Sequence, residues 1–207
     1  FETNEWQELK YFDFYASALV ILLALCLPLG LASPAITSER AMGTIERIFV
    51  SPYRRSEIII GKMLAHTIFA IIIIILVLIT LKILFDITLG NIALVLLVSI
   101  LVGINAVILG LLISSITYSE SESILLAIMC FLGLLIQMTY LIPWESMHAI
   151  SKFISYAIPY TYGVQAIRSI NLVGAGLLDI WRDLVIMFGF IIVQALIATQ
   201  LLKREIK

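Results

Sequence analysis

Five long apolar segments divide this chain of 207 residues and restrict the folds open to it. They cover residues 15–32, 64–85, 92–113, 124–142 and 184–202. Each is close to the length of about 20 residues that a helix needs to cross a bilayer. Lipid offers no hydrogen-bond partners to the backbone, whereas a helix satisfies its backbone groups internally. We therefore predict an all-α fold, a polytopic transmembrane helical bundle with five visible spans.

The composition supports a membrane class. Hydrophobic residues make up 62% of the chain, whereas soluble domains contain about 45–50%. We therefore expect the chain to lie in a lipid bilayer. The formal net charge of −1 gives no sign of a nucleic-acid partner. Cys26 and Cys130 both lie in apolar segments, where a thiol usually packs as a small hydrophobic group rather than forming a disulfide.

The first residues do not resemble a targeting signal. The stretch FETNEWQELKYFDF is acidic and aromatic, and it lacks the basic start and apolar centre of a signal peptide. We interpret residues 1–207 as a single transmembrane domain and expect a further N-terminal span before Phe1, which would make the visible spans five of six.

The distribution of Lys and Arg predicts the orientation. Residues 38–62 carry five basic residues and the C-terminal tail carries three, whereas the segments on the other side carry five over a greater length. Basic residues concentrate in cytoplasmic segments. We therefore expect a cytoplasmic 38–62 loop, a cytoplasmic C-terminus and an external visible N-terminus, in a multi-pass protein of the plasma or inner membrane.

The 38–62 loop has an amphipathic pattern. At 100° per residue, apolar side chains form one stripe, at Ala41, Met42, Ile45, Ile48 and Phe49. Polar positions and a glycine lie opposite, at Glu39, Arg40, Gly43, Glu46 and Arg47. This predicts a helix with one face against headgroups or other helices and the other face available to a partner. A solvated connector with no partner is the alternative.

Several short motifs in this loop occur at a characteristic spacing. They are Glu39-Arg40, Gly43-Thr44-Ile45-Glu46, Ser51-Pro52 and Gly61-Lys62. The combination resembles the cytoplasmic loop of the type-2 ATP-binding-cassette (ABC) permeases, the membrane subunits of ABC exporters. The similarity continues in GLLISSIT, residues 110–117, and in IPYTYGVQAIRSINLVGAG, residues 158–176.

The resemblance implies a permease subunit, not an enzyme, that acts as a dimer with a second permease copy or homologue. It also implies a separate ATPase subunit that binds the loop as a coupling helix. The implied contact residues are Glu39, Arg40, Gly43, Thr44, Glu46, Arg47, Pro52 and Arg54. Gly61-Lys62 does not complete a phosphate-binding loop, because position 56 is Ser where that motif has Gly, and position 63 is Met where it has Ser or Thr. We therefore expect no cofactor on this chain, with ATP and Mg on the partner.

Polar residues within the spans are candidates for a translocation path. Asn105 and Gln137 lie near mid-depth, although interhelical hydrogen bonding is the commoner role for such residues. A secondary transporter or channel independent of ATP is the alternative function. It has less support, because no Asp or Glu lies deep in a span. The predicted topology separates His66 from His148, which leaves no candidate metal site or hydrolase centre.

The external segment 143–179 is apolar but interrupted by Pro and Gly. We predict two short helices, about 144–156 and 160–170, forming a re-entrant helical hairpin in the outer leaflet. Pro143, Pro159 and Tyr160 are then candidates for an outer gate. A surface anchor without a gating role is the alternative.

Overall fold

The computed structural model describes residues 2–44, 55–85, 90–137 and 148–204. Within these ranges the regular elements are helical, which confirms the all-α prediction. The α-helices are α1 Glu2–Ala32, α2 Thr37–Ala41, α3 Arg55–Phe85, α4 Ile92–Ile116, α5 Glu120–Gln137, α6 Ala149–Tyr156, α7 Pro159–Arg168 and α8 Leu177–Arg204. A π-helical turn, Ser169–Val173, follows α7 directly.

Four stretches of the described chain are long and apolar enough to cross a membrane. They are Ala16–Ala41, Ile60–Leu84, Ile92–Ile116 and Leu177–Gln200. They correspond to four of the five predicted spans. The remaining prediction, 124–142, is helical as far as Gln137 and then leaves the described residues. It stays a prediction, as does the span expected before Phe1.

Helix α4 forms the centre of the bundle. It packs against α1, α3, α5, α7 and α8. Small residues bring its backbone close to its neighbours, as is usual where membrane helices pack tightly. A Cβ atom at Gly110 would lie 2.8 Å from the Ala32 Cβ and 3.0 Å from the Leu29 carbonyl oxygen. The crossing of α1 and α4 therefore depends on the absence of a side chain at Gly110.

Helices α3 and α8 lie at the periphery. Only 22% of the most apolar stretch of α3 is buried inside the protein, and only 11% of that of α8, against 50% for α4. The exposed side chains are large and apolar, among them Leu64, Phe69, Leu76, Val185 and Phe188. A surface of this kind is suited to lipid or to another apolar protein surface, which agrees with the membrane class.

The two helices predicted for the external segment are present at α6 and α7. Pro159 occupies the first turn of α7, where its missing N–H costs no hydrogen bond, and Ile158 before it is extended. Helix α7 is inserted among α1, α4 and α8, since a Cβ atom at Gly163 would lie 2.7 Å from the Val102 Cγ2. The re-entrant path through the outer leaflet remains a prediction.

Candidate functional site

The connection after α1 and the start of the 38–62 loop are attached to the ends of three helices, and we call residues 33–44 with these contacts the loop junction. Its centre is the Ser114 hydroxyl on α4, which accepts hydrogen bonds from the backbone N–H groups of Ile36 (2.9 Å) and Thr37 (3.2 Å). All three residues are buried. The first N–H groups of a helix lack intrahelical partners, and Ile36 at the N-cap of α2 has no side-chain acceptor to offer. A serine from a distant helix therefore caps α2.

Lys62 attaches the junction to α3. Its Nζ donates to the Ala35 carbonyl oxygen at 2.8 Å and lies 2.7 Å from the Glu39 Oε2. The Lys62 and Glu39 side chains are only 16% and 29% exposed. Partly buried charge pairs are screened by salt less than exposed ones, so this contact holds the loop more firmly than an ordinary surface ion pair.

Arg40 and Ser123 complete the attachment. The Arg40 Nη1 donates to the Thr117 carbonyl oxygen at 3.0 Å, just beyond the end of α4, and the guanidinium lies 5.8 Å from the centre of the Tyr118 ring. Such a position favours a cation, because the last carbonyl groups of a helix carry partial negative charge. The Ser123 hydroxyl on α5 donates to the Ser33 carbonyl oxygen. The junction thus connects α1 and α2 to α3, α4 and α5.

This geometry changes the interpretation of the predicted loop helix. Glu39 and Arg40, predicted to lie on the face available to a partner, instead contact other helices of this chain. Met42, assigned to the apolar stripe, is 69% exposed. The prediction of one continuous helix through this stretch was wrong, because α2 ends at Ala41 and Gly43 has φ +65°. This left-handed conformation suits glycine and ends a helix.

The remaining predicted contact residues are only partly described. Gly43 is exposed, and the Thr44 hydroxyl donates to the Glu39 carbonyl oxygen at 3.1 Å, which ties the chain after Gly43 back to α2. Glu46, Arg47, Pro52 and Arg54 lie outside the described residues, so their contact with an ATPase stays a prediction.

Asn105, a candidate for the translocation path, is fully buried between α4 and α8. Its Nδ2 donates to the Leu101 carbonyl oxygen at 2.8 Å and to the Met187 carbonyl oxygen at 3.5 Å. In this conformation Asn105 connects two helices, and its role in a path stays a prediction. Gln137 is the last residue of α5, and its side chain lies outside the described part of the chain.

Among the predicted gate residues, Pro159 and Tyr160 are both buried at the start of α7. Burial raises the pKa of the Tyr160 phenol, with a smaller contribution from nearby Cys130. The Tyr160 hydroxyl is buried with no hydrogen-bond partner among the described residues. Pro143 lies outside the described residues.

A second polar cluster lies where the apolar part of α1 begins, and we call it the hairpin latch. Its central residue is Asn171 in the π-helical turn after α7. The Asn171 Oδ1 accepts from the Gly90 backbone N–H at 3.0 Å, and its Nδ2 donates to the Ser17 hydroxyl at 3.0 Å. Ser17 on α1 and Ser33 directly after α1 are separated by about 24 Å along the helix axis at 1.5 Å per residue. The two clusters therefore lie at opposite ends of the bundle.

Several residues of these clusters were not predicted as site residues, among them Ser17, Gly90, Ser114, Ser123 and Asn171. The first four are small or polar residues at the end of an apolar segment, and that position is the signal that could have found them, whereas Asn171 lies inside the external segment and has no such signal. Within the described ranges, no group of three or more His, Cys, Asp or Glu side chains could hold a metal ion.

Comparison with known proteins agrees with the loop motifs. The family model described as ABC-2 family transporter protein matches residues 3–199, nearly the whole chain. The chain is also 28% identical over 201 residues to ABC transporter G family member 20 of Dictyostelium discoideum, covering 96% of this chain and 28% of the length of that relative. With its several apolar helices, the chain therefore belongs to the ABC-2 transporter family, as a membrane component of an ABC transporter.

Proposed function

We propose that this chain is the permease subunit of an ATP-driven exporter and forms the translocation pathway together with a second permease copy or homologue. A separate ATPase subunit binds the 38–62 loop and supplies the energy. The observation that carries this proposal is the loop junction, because a loop that only connects α1 to α3 has no need of contacts to two further helices, α4 and α5. The family membership supports the same assignment.

The junction explains how a force on the loop could reach the spans. Ser114 ties the start of α2 to α4, Lys62 ties the same segment to α3, and Ser123 ties it to α5. A partner that displaces the loop would therefore move the ends of these helices together with the end of α1. We assign Glu39 and Arg40 to this internal attachment rather than to direct contact with the ATPase.

In this proposal the remaining residues of the loop contact the ATPase. Gly43 and Thr44 begin this contact, and the predicted residues Glu46, Arg47, Pro52 and Arg54 continue it. Gly43 suits this place because its left-handed backbone conformation keeps α2 from continuing into the rest of the loop. The nucleotide and its Mg ion are bound by the partner in this proposal.

The exposed apolar faces of α3, α5 and α8 support the expected surroundings. They carry large side chains such as Phe69, Leu132 and Phe188, which lipid or a second permease copy would cover. In this proposal the protein lies in the plasma or inner membrane, with the visible N-terminus outside and the loop junction and C-terminus in the cytoplasm.

The proposal predicts a specific loss in Glu46→Lys. Breaking a partly desolvated charge contact at an interface costs about 2–5 kcal/mol. A loss of that size lowers affinity about thirtyfold to several-thousandfold. We expect the variant to insert at normal levels but to lose copurification with the ATPase and ATP-driven transport.

Lys152→Glu is the matched control, because it reverses a charge on α6, which belongs to the segment predicted to lie on the other side of the membrane. This variant should copurify with the ATPase at the wild-type level. Normal complexes and normal transport in Glu46→Lys would contradict the role assigned to the loop. Transport by the wild-type protein without ATP would favour a secondary transporter or channel instead.

A further inference from the structure

The hairpin latch joins three parts of the chain that are far apart in sequence. Ser17 belongs to α1, Gly90 to the connection between α3 and α4, and Asn171 to the connection between α7 and α8. One side-chain amide contacts both of the other residues, each at 3.0 Å. Asn171 therefore fixes the end of α7 against two neighbouring segments.

The orientation of this amide follows from its partners. The Gly90 backbone N–H can only donate a hydrogen bond, so the Asn171 atom that faces it must be the oxygen. The NH₂ group then faces Ser17, whose hydroxyl can accept or donate. The Asn171 amide can therefore make both hydrogen bonds at once, with its oxygen as the acceptor and its NH₂ group as the donor.

The backbone around Asn171 is also unusual. A Cβ atom at Gly90 would lie 2.6 Å from the Ile170 carbonyl oxygen, so only glycine permits this approach. Asn171 itself lies in a π-helical turn, and Gly174 after it has φ +70°. Single π turns are rare and occur frequently at functional sites.

We propose that Asn171 is a positioning residue that holds the exit side of the transporter closed, and that its two hydrogen bonds break when α7 moves to release substrate. This inference rests on the proposed export function and on the external position predicted for the hairpin. Helix α7 is the element held in place, because it packs against α1, α4 and α8 and carries the buried candidate gate residues Pro159 and Tyr160.

The size of the effect follows from the two bonds. Each neutral hydrogen bond contributes a modest net free energy. Losing both should raise the fraction of molecules with an open exit about tenfold. The variant Asn171→Leu keeps a similar volume and removes both bonds. In contrast, Asn171→Asp keeps an acceptor for the Gly90 N–H and loses only the donor to Ser17. A purely space-filling role predicts the reverse order, with leucine tolerated and aspartate not.

The experiment measures opening at α7 directly. Thr161, which is buried on α7, is replaced in a Thr161→Cys variant that also carries Cys26→Ala and Cys130→Ala. The intact transporter in lipid nanodiscs, where both faces are accessible, is treated with a charged thiol reagent in the absence of ATP. The labelling rate then tracks the fraction of molecules that are open.

We expect about tenfold faster labelling when Asn171→Leu is added, and a smaller acceleration for Asn171→Asp, which keeps the bond to Gly90. Asn91→Ala is the matched control. It removes an asparagine beside Gly90 whose Oδ1 caps α4 by accepting from the Ala93 and Leu94 N–H groups. It should leave the labelling rate close to that of the parent.

An unchanged labelling rate in Asn171→Leu, or equal acceleration in Asn171→Leu and Asn171→Asp, would overturn the role proposed for Asn171. A separate measurement of ATP-driven export by the wild-type protein tests the proposed function. The two ideas can therefore fail independently, because labelling is measured without ATP and from both faces.

Discussion

Replacing Ser114 by alanine should uncouple the 38–62 loop from the bundle. The change removes one hydroxyl that accepts from two buried N–H groups, at 2.9 Å and 3.2 Å. Ile36 and Thr37, which carry those groups, are almost inaccessible to water. An unsatisfied buried N–H costs about 1–3 kcal/mol. The two together give about 2–6 kcal/mol, and local relaxation favours the lower end.

A cost of about 2 kcal/mol shifts the balance between the attached and detached junction about thirtyfold. Ser115→Ala is the matched control on the neighbouring residue. The Ser115 hydroxyl donates within α4, to the Leu112 carbonyl oxygen at 2.7 Å, so its loss leaves the junction intact. Its cost should be about 0.5–1.5 kcal/mol, the net value of one hydrogen bond.

Hydrogen exchange of the amides in residues 36–41 measures the attachment, and ATP consumed per substrate transported measures the coupling. We expect Ser114→Ala to lose protection in this segment and to hydrolyse more ATP per transport event while still binding the ATPase. The control should match the wild type in both. Unchanged protection and unchanged coupling in Ser114→Ala would refute the role assigned to the junction.

Two further predictions concern packing and orientation. Gly110→Ala should lower the thermal unfolding midpoint of the detergent-solubilised protein, because its Cβ would lie 2.8 Å from the Ala32 Cβ and overpacking costs about 1–3 kcal/mol. In Gly103→Ala the close atom is only the flexible Ile74 Cδ1, so an unchanged or raised midpoint is expected, and equal losses in both variants would contradict the crossing described for α1 and α4. A Ser56→Cys variant should react with an impermeant thiol reagent only from the cytoplasmic side, and labelling from outside intact cells would reverse the proposed orientation.

Much of the fold follows from residue type and segment length. The apolar segments predicted helices, and four of the predicted spans match described stretches that could cross a membrane. The two short helices of the external segment were also predicted, because Pro143, Pro159 and Gly163 interrupt a stretch that is otherwise apolar. The loop motifs indicated the family that the comparison then confirmed.

The loop helix shows where pattern alone is insufficient. Periodicity placed Glu39 and Arg40 on a face free to meet a partner. Both residues do lie in a helix, α2, but their side chains contact Lys62 and the end of α4. A helical projection carries no information about partners that are distant in sequence.

The sequence by itself determined that this chain is a helical membrane protein, since only a helix satisfies the backbone of a long apolar segment in lipid. Only the tertiary structure decided which helix lies at the centre. Helices α3 and α4 are similarly apolar, yet α4 is buried and α3 is peripheral. Apolarity does not distinguish a surface facing lipid from one facing protein, because lipid tails are as apolar as leucine. The same limit applies to Ser114 and Asn171, whose roles depend on N–H groups that other segments of the chain bring to them.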